Sequence, residues 1–272
     1  MSPIYNYLPH VWLQTLDDLV NHGHVVSPRG QETRELPQRT IVVDMNRPVL
    51  NIPERNLGYK FMAAEAYWIL TGDYRVETIA PYSKAISQFS DDGVTFFGAY
   101  GPKITHQFQY VLNKLVEDPD TRQAGLTIWR ENPPQTKDVP CTVAIFFSIR
   151  RGELNCHVFM RSSDAWLGVP YDVFNFSMLS HAVCGCLNAS KLKDFALTPG
   201  QLHLTAASSH LYMRNIDAVQ VCRDAQTIDQ PRTPAVLYQD PAALMTWLEA
   251  LKDSEVGDPK RWWEEVKDES AE

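Results

Sequence analysis

The chain has 272 residues, 44% of them hydrophobic and 21% charged, with a net charge of −8 and a pI near 5.5. That is enough apolar material for a sizeable core in one or two domains. The acidic balance excludes the broad basic surface that non-specific nucleic-acid binding needs, so an anionic ligand has to be held by a few local arginines.

The first segment, MSPIYNYLPHVWLQTLDDLV, has no basic stretch followed by an apolar one, and no signal peptide is expected. No run approaches the roughly 18 apolar residues of a membrane span. The five cysteines, Cys141, Cys156, Cys184, Cys186 and Cys222, are an odd number in a long chain. This argues against a disulfide framework and for a reducing cytoplasm. Cys184-Gly185-Cys186 lacks the spacing of a metal-ligand pair and reads as small thiols on a buried helix, so no metal is expected.

In chain order, residues 11–22 carry apolar positions at helical spacing and run into Gly23 and a Ser27-Pro28-Arg29-Gly30 turn. Residues 40–52 read as strand. Residues 63–70 read as an apolar helix containing Glu65 and stopped by Gly72-Asp73. A mixed stretch, 74–98, ends in a Gly-Ala-Tyr-Gly turn at 98–101, and a helix is expected at 106–116 before Asp118-Pro119-Asp120. Strands follow at 124–129, 142–149 and 154–160, the last two joined by a hairpin turn at Arg151-Gly152. A long apolar helix spans 171–186. A Pro199-Gly200 turn leads into 203–212, and a helix from Asp240 ends in a charged tail at about 255–272. With no repeat and no linker, the simplest organisation is one α+β catalytic domain over 1–272.

A few residues break the pattern. Glu65 lies within an apolar helix, where it either pairs with an arginine or serves as a partly buried carboxylate of raised pKa that relays protons. Pro140-Cys141 opens a strand after a polar loop. Most cysteines at such a place are small core residues. Arg161-Ser162-Ser163-Asp164 directly follows a strand, where a solvated turn is the ordinary reading. Asp172 sits at the start of the long apolar helix, a common place for an N-cap. His210 and Tyr212 are two apart, so on a strand they share a face.

Together these residues resemble one family. The segment DVPCTVAIFFSIRRGELNCHVFMRSSDAWLGVPYDVFNFSML, from Asp138 to Leu179, is similar to the core of the thymidylate synthase family. It has Pro-Cys before a strand, Arg-Ser-Xaa-Asp after the hairpin, then Leu-Gly-Xaa-Pro-Tyr and a polar residue. SPRGQETREL resembles the family's phosphate-binding loop, AAEAYWILTGD its Glu- and Trp-bearing helix, and GAYG its Tyr-Gly turn. DPDTRQ resembles its Asp-Pro-Xaa-Ser/Thr-Arg-Arg and SSHLYMRN its His-Xaa-Tyr segment. The matches keep the family's order from about residue 10 to 220.

The resemblance implies a mixed β-sheet flanked by helices, a sheet-packed homodimer, and chemistry with methylenetetrahydrofolate as cosubstrate. By it, Cys141 is the nucleophile for pyrimidine C6, helped by nearby arginines that lower its pKa. Glu65 organises water and proton transfers. Arg29, Arg161 and Ser162 bind phosphate, and Arg122 reaches the phosphate in the neighbouring subunit. His210 and Tyr212 hold the sugar hydroxyl, Tyr100 lies on the substrate side, and Asp164 and Trp68 belong to the folate side.

The departures are informative. Asp172 stands where synthases carry asparagine, the residue that reads the pyrimidine edge. A carboxyl group suits the N4 amino donor and N3 acceptor of cytosine. Thr142 stands where synthases have histidine, and Ser208 where they have aspartate. All three resemble the phage deoxycytidylate hydroxymethylases, in which water, not hydride, attacks the exocyclic methylene. No tryptophan lies between Trp68 and Trp129 to wall off the folate side. Gln123 replaces the second arginine of the Arg-Arg pair, and Phe174 and Asn175 replace small residues beside the base. The expectation is a deoxycytidylate 5-hydroxymethyltransferase serving phage DNA synthesis in a host cytoplasm, with no membrane association and no direct DNA contact. A deoxycytidylate methylase or thymidylate synthase, a CMP or dUMP hydroxymethylase, and a non-catalytic nucleotide- or RNA-binding module are the alternatives.

Overall fold

Alternation of apolar and polar residues along 142–160 builds the centre of a sheet, because period-two patterning buries one face and leaves the other open. The computed structural model describes residues 7–190, 196–223, 225 and 232–254. Its strands are β1 (His24–Val26), β2 (Thr33–Asp44), β3 (Gly125–Thr127), β4 (Thr142–Arg150), β5 (Glu153–Met160), β6 (Ser163–Asp164) and β7 (Thr198–Tyr212). They form one seven-stranded sheet in the order β1-β2-β7-β5-β4-β3, with β6 alongside β7. β7 runs parallel to β5 and β6, and every other pairing is antiparallel, so the sheet is mixed.

The helices are α1 (Leu8–His22), α2 (Tyr59–Leu70), α3 (Val76–Ile79), α4 (Tyr100–Glu117), α5 (Val169–Ala189), α6 (Ile216–Arg223), α7 (Val236–Gln239) and α8 (Pro241–Asp253). α5 is apolar all round and almost wholly buried, the mark of a helix that runs through the core and not over it. One cluster of buried apolar side chains extends from Leu8 on α1 to Leu251 on α8 and takes in Ile145, Phe147, Val158 and Leu204 from the sheet. The opposite sheet face carries Phe146 and Phe159, both exposed and packed edge to face, and the stacked imidazoles of His157 and His203. No helix among the described residues is long and apolar enough to cross a membrane.

Several expected boundaries move. The strand expected at 40–52 begins at Thr33, because β7 pairs with it from Tyr212 onward. It stops at Asp44, whose Oδ1 accepts from the Asn46 N–H and turns the chain. The turn expected at Pro199-Gly200 is strand instead. β7 runs through it beside a register irregularity at Leu154/Cys156, and a Cβ on Gly200 would lie 2.7 Å from Asn155 Oδ1. The turn expected at 98–101 is cut short, since Tyr100 and Gly101 already open α4. The Arg151-Gly152 hairpin is as expected, with both residues at positive φ (56° and 80°), the geometry of a two-residue hairpin turn. The tail at 255–272 lies outside the described residues.

Candidate active site

Register brings most of the singled-out residues to one end of the sheet. β4 begins at Thr142 opposite Met160, the last residue of β5, so Cys141 and Arg161 are neighbours. β7 ends at Tyr212 opposite Thr33, the first residue of β2, and β6 pairs Asp164 with His210. Arg29, exposed and at φ 53°, lies in the turn that feeds β2 from the same end. A register shift between Thr142 and Ala144 adds a local bend directly after Cys141, a common way of aiming a side chain at a site.

The loop carrying Cys141 is seated on a glycine. The Gly98 N–H donates to Asp138 Oδ2 at 2.7 Å, and a Cβ on Gly98 would lie 2.3 Å from the Asp138 carbonyl oxygen. Tyr100 continues the contact: its hydroxyl accepts from the Thr142 N–H at 3.1 Å, and its ring stacks on Phe176 of α5. Arg161 donates through Nε to the Pro140 carbonyl and through Nη2 to the Val139 carbonyl, which brings Nη2 3.7 Å from Cys141 Sγ. Of the arginines expected to activate this thiol, Arg161 alone pulls its pKa down. Burial, followed by the carboxyls of Asp172, Asp138 and Asp164, pushes it up, and the net direction is upward. The expected lowering therefore does not hold for the protein without substrate.

The floor of the site is built by α2 and α5. Glu65 lies on α2 and Asp172 on α5, and Asp172 is close enough to feel the charge of Glu65 and to act on Cys141. Burial raises Glu65 to about 7, against one hydrogen bond from Asn175 Nδ2 to Oε2 at 2.7 Å. Asparagine, not arginine, is its partner. Asp172 is raised to about 8 by burial, then by the charges of Glu65 and Asp164. Asp172 does not cap α5. Gly168 holds that position, and Asp172 sits one turn in, its Oδ2 lying where a Gly168 Cβ would approach to 3.2 Å. The missing side chain makes the room. Asn175 follows Asp172 by three residues, so the two share one helix face. Asn175 Oδ1 is buried and has no partner among the described residues.

The rim is different in kind. Asp164 Oδ1 accepts from the Trp166 and Leu167 N–H groups at 2.8 Å each, which turns the chain into α5 and leaves Oδ2 facing His210 Nε2 at 4.0 Å. Ser162 Oγ lies 3.5 Å from His210 Nδ1, and the His210 and Tyr212 rings meet edge to face. They share a strand face, as their spacing predicts.

Two of the singled-out residues have surroundings of their own. Trp68 is only 8% exposed, donates its indole N–H to Thr78 Oγ1 and packs edge-on against Phe96. Arg122 is exposed and precedes Gly125, which pairs with Phe146. From Phe146 back to Cys141 is five residues of extended chain, roughly 17 Å, so Arg122 lies well apart from the Cys141 of its own chain.

Sequence reasoning noted Asn175 but assigned it no role, and it passed over Trp12 and Arg55. Trp12 donates to the Ala165 carbonyl at 2.7 Å, and Arg55 donates to the Trp166 carbonyl while its guanidinium stacks over the Trp166 ring. Both brace the Asp164 turn from below. Nothing in the sequence marks Arg55, which stands between Glu54 and Asn56. Among the described residues no group of three or more His, Cys, Asp or Glu could hold a metal ion.

The arrangement combines a thiol, two mutually repelling carboxyls of raised pKa, and a rim of cationic and hydroxyl groups. It can add sulfur to an electrophilic carbon and move protons beside it. A family model described as "Thymidylate synthase" matches residues 10–236. Among curated relatives, the "Deoxyuridylate hydroxymethyltransferase" of Bacillus phage SP01 is 28% identical over 243 residues, covering 80% of this chain. The chain spans 60% of that relative's length. With the family model extending over most of the chain, and with the site geometry above, the protein belongs to the thymidylate synthase family.

Proposed function

We propose that the protein is a folate-dependent 5-hydroxymethyltransferase acting on deoxycytidylate. Cys141 Sγ adds to C6 of the pyrimidine and makes C5 nucleophilic. Methylenetetrahydrofolate, when bound, supplies the one-carbon unit that C5 acquires. Loss of the C5 proton and departure of tetrahydrofolate would leave an exocyclic methylene; water adds to it, Glu65 takes the water proton, and Cys141 is expelled as the 5,6 double bond returns. Arg29, Arg161 and Ser162 bind the phosphate, and His210 and Tyr212 the sugar hydroxyl. The donor set also fits folate: Asp164 commits Oδ1 to its own turn, which leaves Oδ2 to accept from an N–H donor of that ring system. No such vacancy recommends Trp68, whose N–H is taken by Thr78.

The observation that carries the base assignment is Asp172, partly buried, acted on by the charge of Glu65 and raised to about 8. A neutral carboxyl accepts from cytosine N4 and donates to N3; an ionised one still accepts from N4 but repels uracil O4. The second reading is deoxyuridylate. The printed name of the phage relative favours it, and a neutral carboxyl with its proton on the other oxygen matches uracil as well. We further propose a homodimer packed through the sheet face bearing Phe146 and Phe159, with Arg122 reaching across it. A host cytoplasm making modified phage DNA is the setting this reading implies.

The test is product mass after incubation with methylenetetrahydrofolate and dCMP, dUMP or CMP. A gain of CH2O on dCMP with tetrahydrofolate as coproduct is expected. A gain of CH2 with dihydrofolate would instead make the chain a methylase or synthase, and a gain on dUMP alone would remove the base assignment.

A further inference from the structure

Water attack needs more than a base, because the nucleophile has to be aimed at one carbon and kept from wandering. We infer that Asn175 is a positioning residue that holds the attacking water through Oδ1 while its Nδ2 fixes Glu65 as the proton acceptor. The inference rests on the hydroxymethyltransferase reading.

The geometry is specific. Nδ2 donates to Glu65 Oε2 at 2.7 Å, which sets the amide nitrogen against Glu65. Oδ1 is buried and without a partner among the described residues, in a residue that is 7% exposed. An acceptor left so is a destabilising arrangement unless water or substrate completes it. The location follows from the two anchors of the base. Cys141 engages C6, and Asp172 reads the edge at N3 and the C4 substituent. C5 lies between C4 and C6. Asn175 is three residues beyond Asp172 on the same face of α5, and of the charges acting on Asp172 that of Glu65 weighs most. The corner made by Asn175 and Glu65 therefore borders the methylene carried by C5.

A water placed there donates one hydrogen to Asn175 Oδ1 and the other to Glu65. Its oxygen bonds to the methylene carbon, and the π pair moves toward C5. The C6–S bond then breaks as the 5,6 double bond re-forms. The water proton ends on the Glu65 carboxylate and the electron pair on Cys141 as thiolate. No oxidant or reductant is consumed.

The experiment uses [5-3H]dCMP with methylenetetrahydrofolate and compares tritium release, which reports methylene formation, with hydroxymethyl product. Wild type should give the two in near-equal amounts. Asn175→Leu, similar in volume, should retain tritium release but lose product, raising the ratio about tenfold, as expected for one lost hydrogen bond in a transition state. Added 2-mercaptoethanol should trap the stranded methylene as a thioether. Asn175→Asp keeps an acceptor oxygen and places a like charge beside Glu65. It should hold the ratio near wild type at high pH while moving the pH limb of product formation upward.

A wild-type ratio retained in Asn175→Leu overturns the inference and leaves the hydroxymethyltransferase intact. Equal uncoupling in the Leu and Asp variants also overturns it, since the acceptor oxygen would then be irrelevant. If Asn175→Leu does not fold, an unmoved pH limb in Asn175→Asp has the same force. Dihydrofolate formation by wild type would remove this inference together with the reading beneath it.

Discussion

The rim and the floor of this site are built from similar residue types and behave oppositely. At the rim, Asp164 is satisfied by two backbone N–H groups, and His210 has Ser162, Asp164 and Tyr212 around it. On the floor, Asp172 feels the charge of Glu65, Glu65 has a single hydrogen bond from Asn175, and both are raised by burial. The same carboxyl chemistry gives an anchor where backbone dipoles complete it and a proton store where they do not. The rim positions and the floor reacts, and the two are separable by experiment.

The largest break should come from the floor. Cys141→Ala should lower turnover on the order of 10^4-fold or more while nucleotide affinity, measured by calorimetry, stays within a few-fold. Glu65→Gln should reduce kcat about 10^2- to 10^4-fold, the usual range for a general acid–base group. If either variant lost affinity in proportion, the separation of the two regions would be wrong.

Next comes the seat of the Cys141 loop. Gly98→Ala puts a Cβ onto the Asp138 carbonyl and must shift the loop. A displacement near 1 Å is expected to lower kcat about 10^2-fold, with the far-UV circular dichroism unchanged.

Asp172→Asn should move kcat/KM toward dUMP by about 10- to 100-fold relative to dCMP, because one buried donor–acceptor mismatch is exchanged for another. In wild type the preference for dCMP over dUMP should grow as pH rises through about 8, where Asp172 ionises and repels O4. A flat preference across that range would remove Asp172 as the base reader.

Rim variants should act on binding. Ser162→Ala or Tyr212→Phe should raise KM by about tenfold with kcat within a few-fold, as expected for loss of one hydrogen bond made equally in ground and transition states.

The smallest effect is on stability. Asp172 is raised from 3.8 to about 8 in the folded protein, so its ionisation opposes folding; the penalty is absent below about pH 4 and complete above about pH 8. Ligand-free Asp172→Asn should therefore melt a few degrees higher at pH 8.5, by about 2–4 °C per kcal/mol relieved, and show no gain at pH 4. A gain independent of pH would mean that packing, not charge, is responsible.

What the sequence by itself determined is the local chemistry and its order along the chain. The hairpin was legible because Arg151-Gly152 separates two strand-like runs, and Gly152 takes positive φ without steric cost. Cys141, Glu65, Asp172 and the His210–Tyr212 pair stood out as breaks in the pattern, but the roles expected of them came from the ordered resemblance to the thymidylate synthase family. The α+β class was legible from two periodicities in one chain. Tertiary structure alone decided the rest, because the deciding quantities depend on residues far apart in sequence. Glu65 and Asn175 are 110 residues apart, and only the crossing of α2 and α5 joins them. Desolvation, not the nearby guanidinium, sets the direction for Cys141, and no spacing encodes how much water a fold removes. Strand register sets Arg122 well apart from the Cys141 of its own chain, while the packing of Phe96 and Thr78 turns Trp68 inward. Residue types are written along the chain, but burial and register are properties of the folded whole.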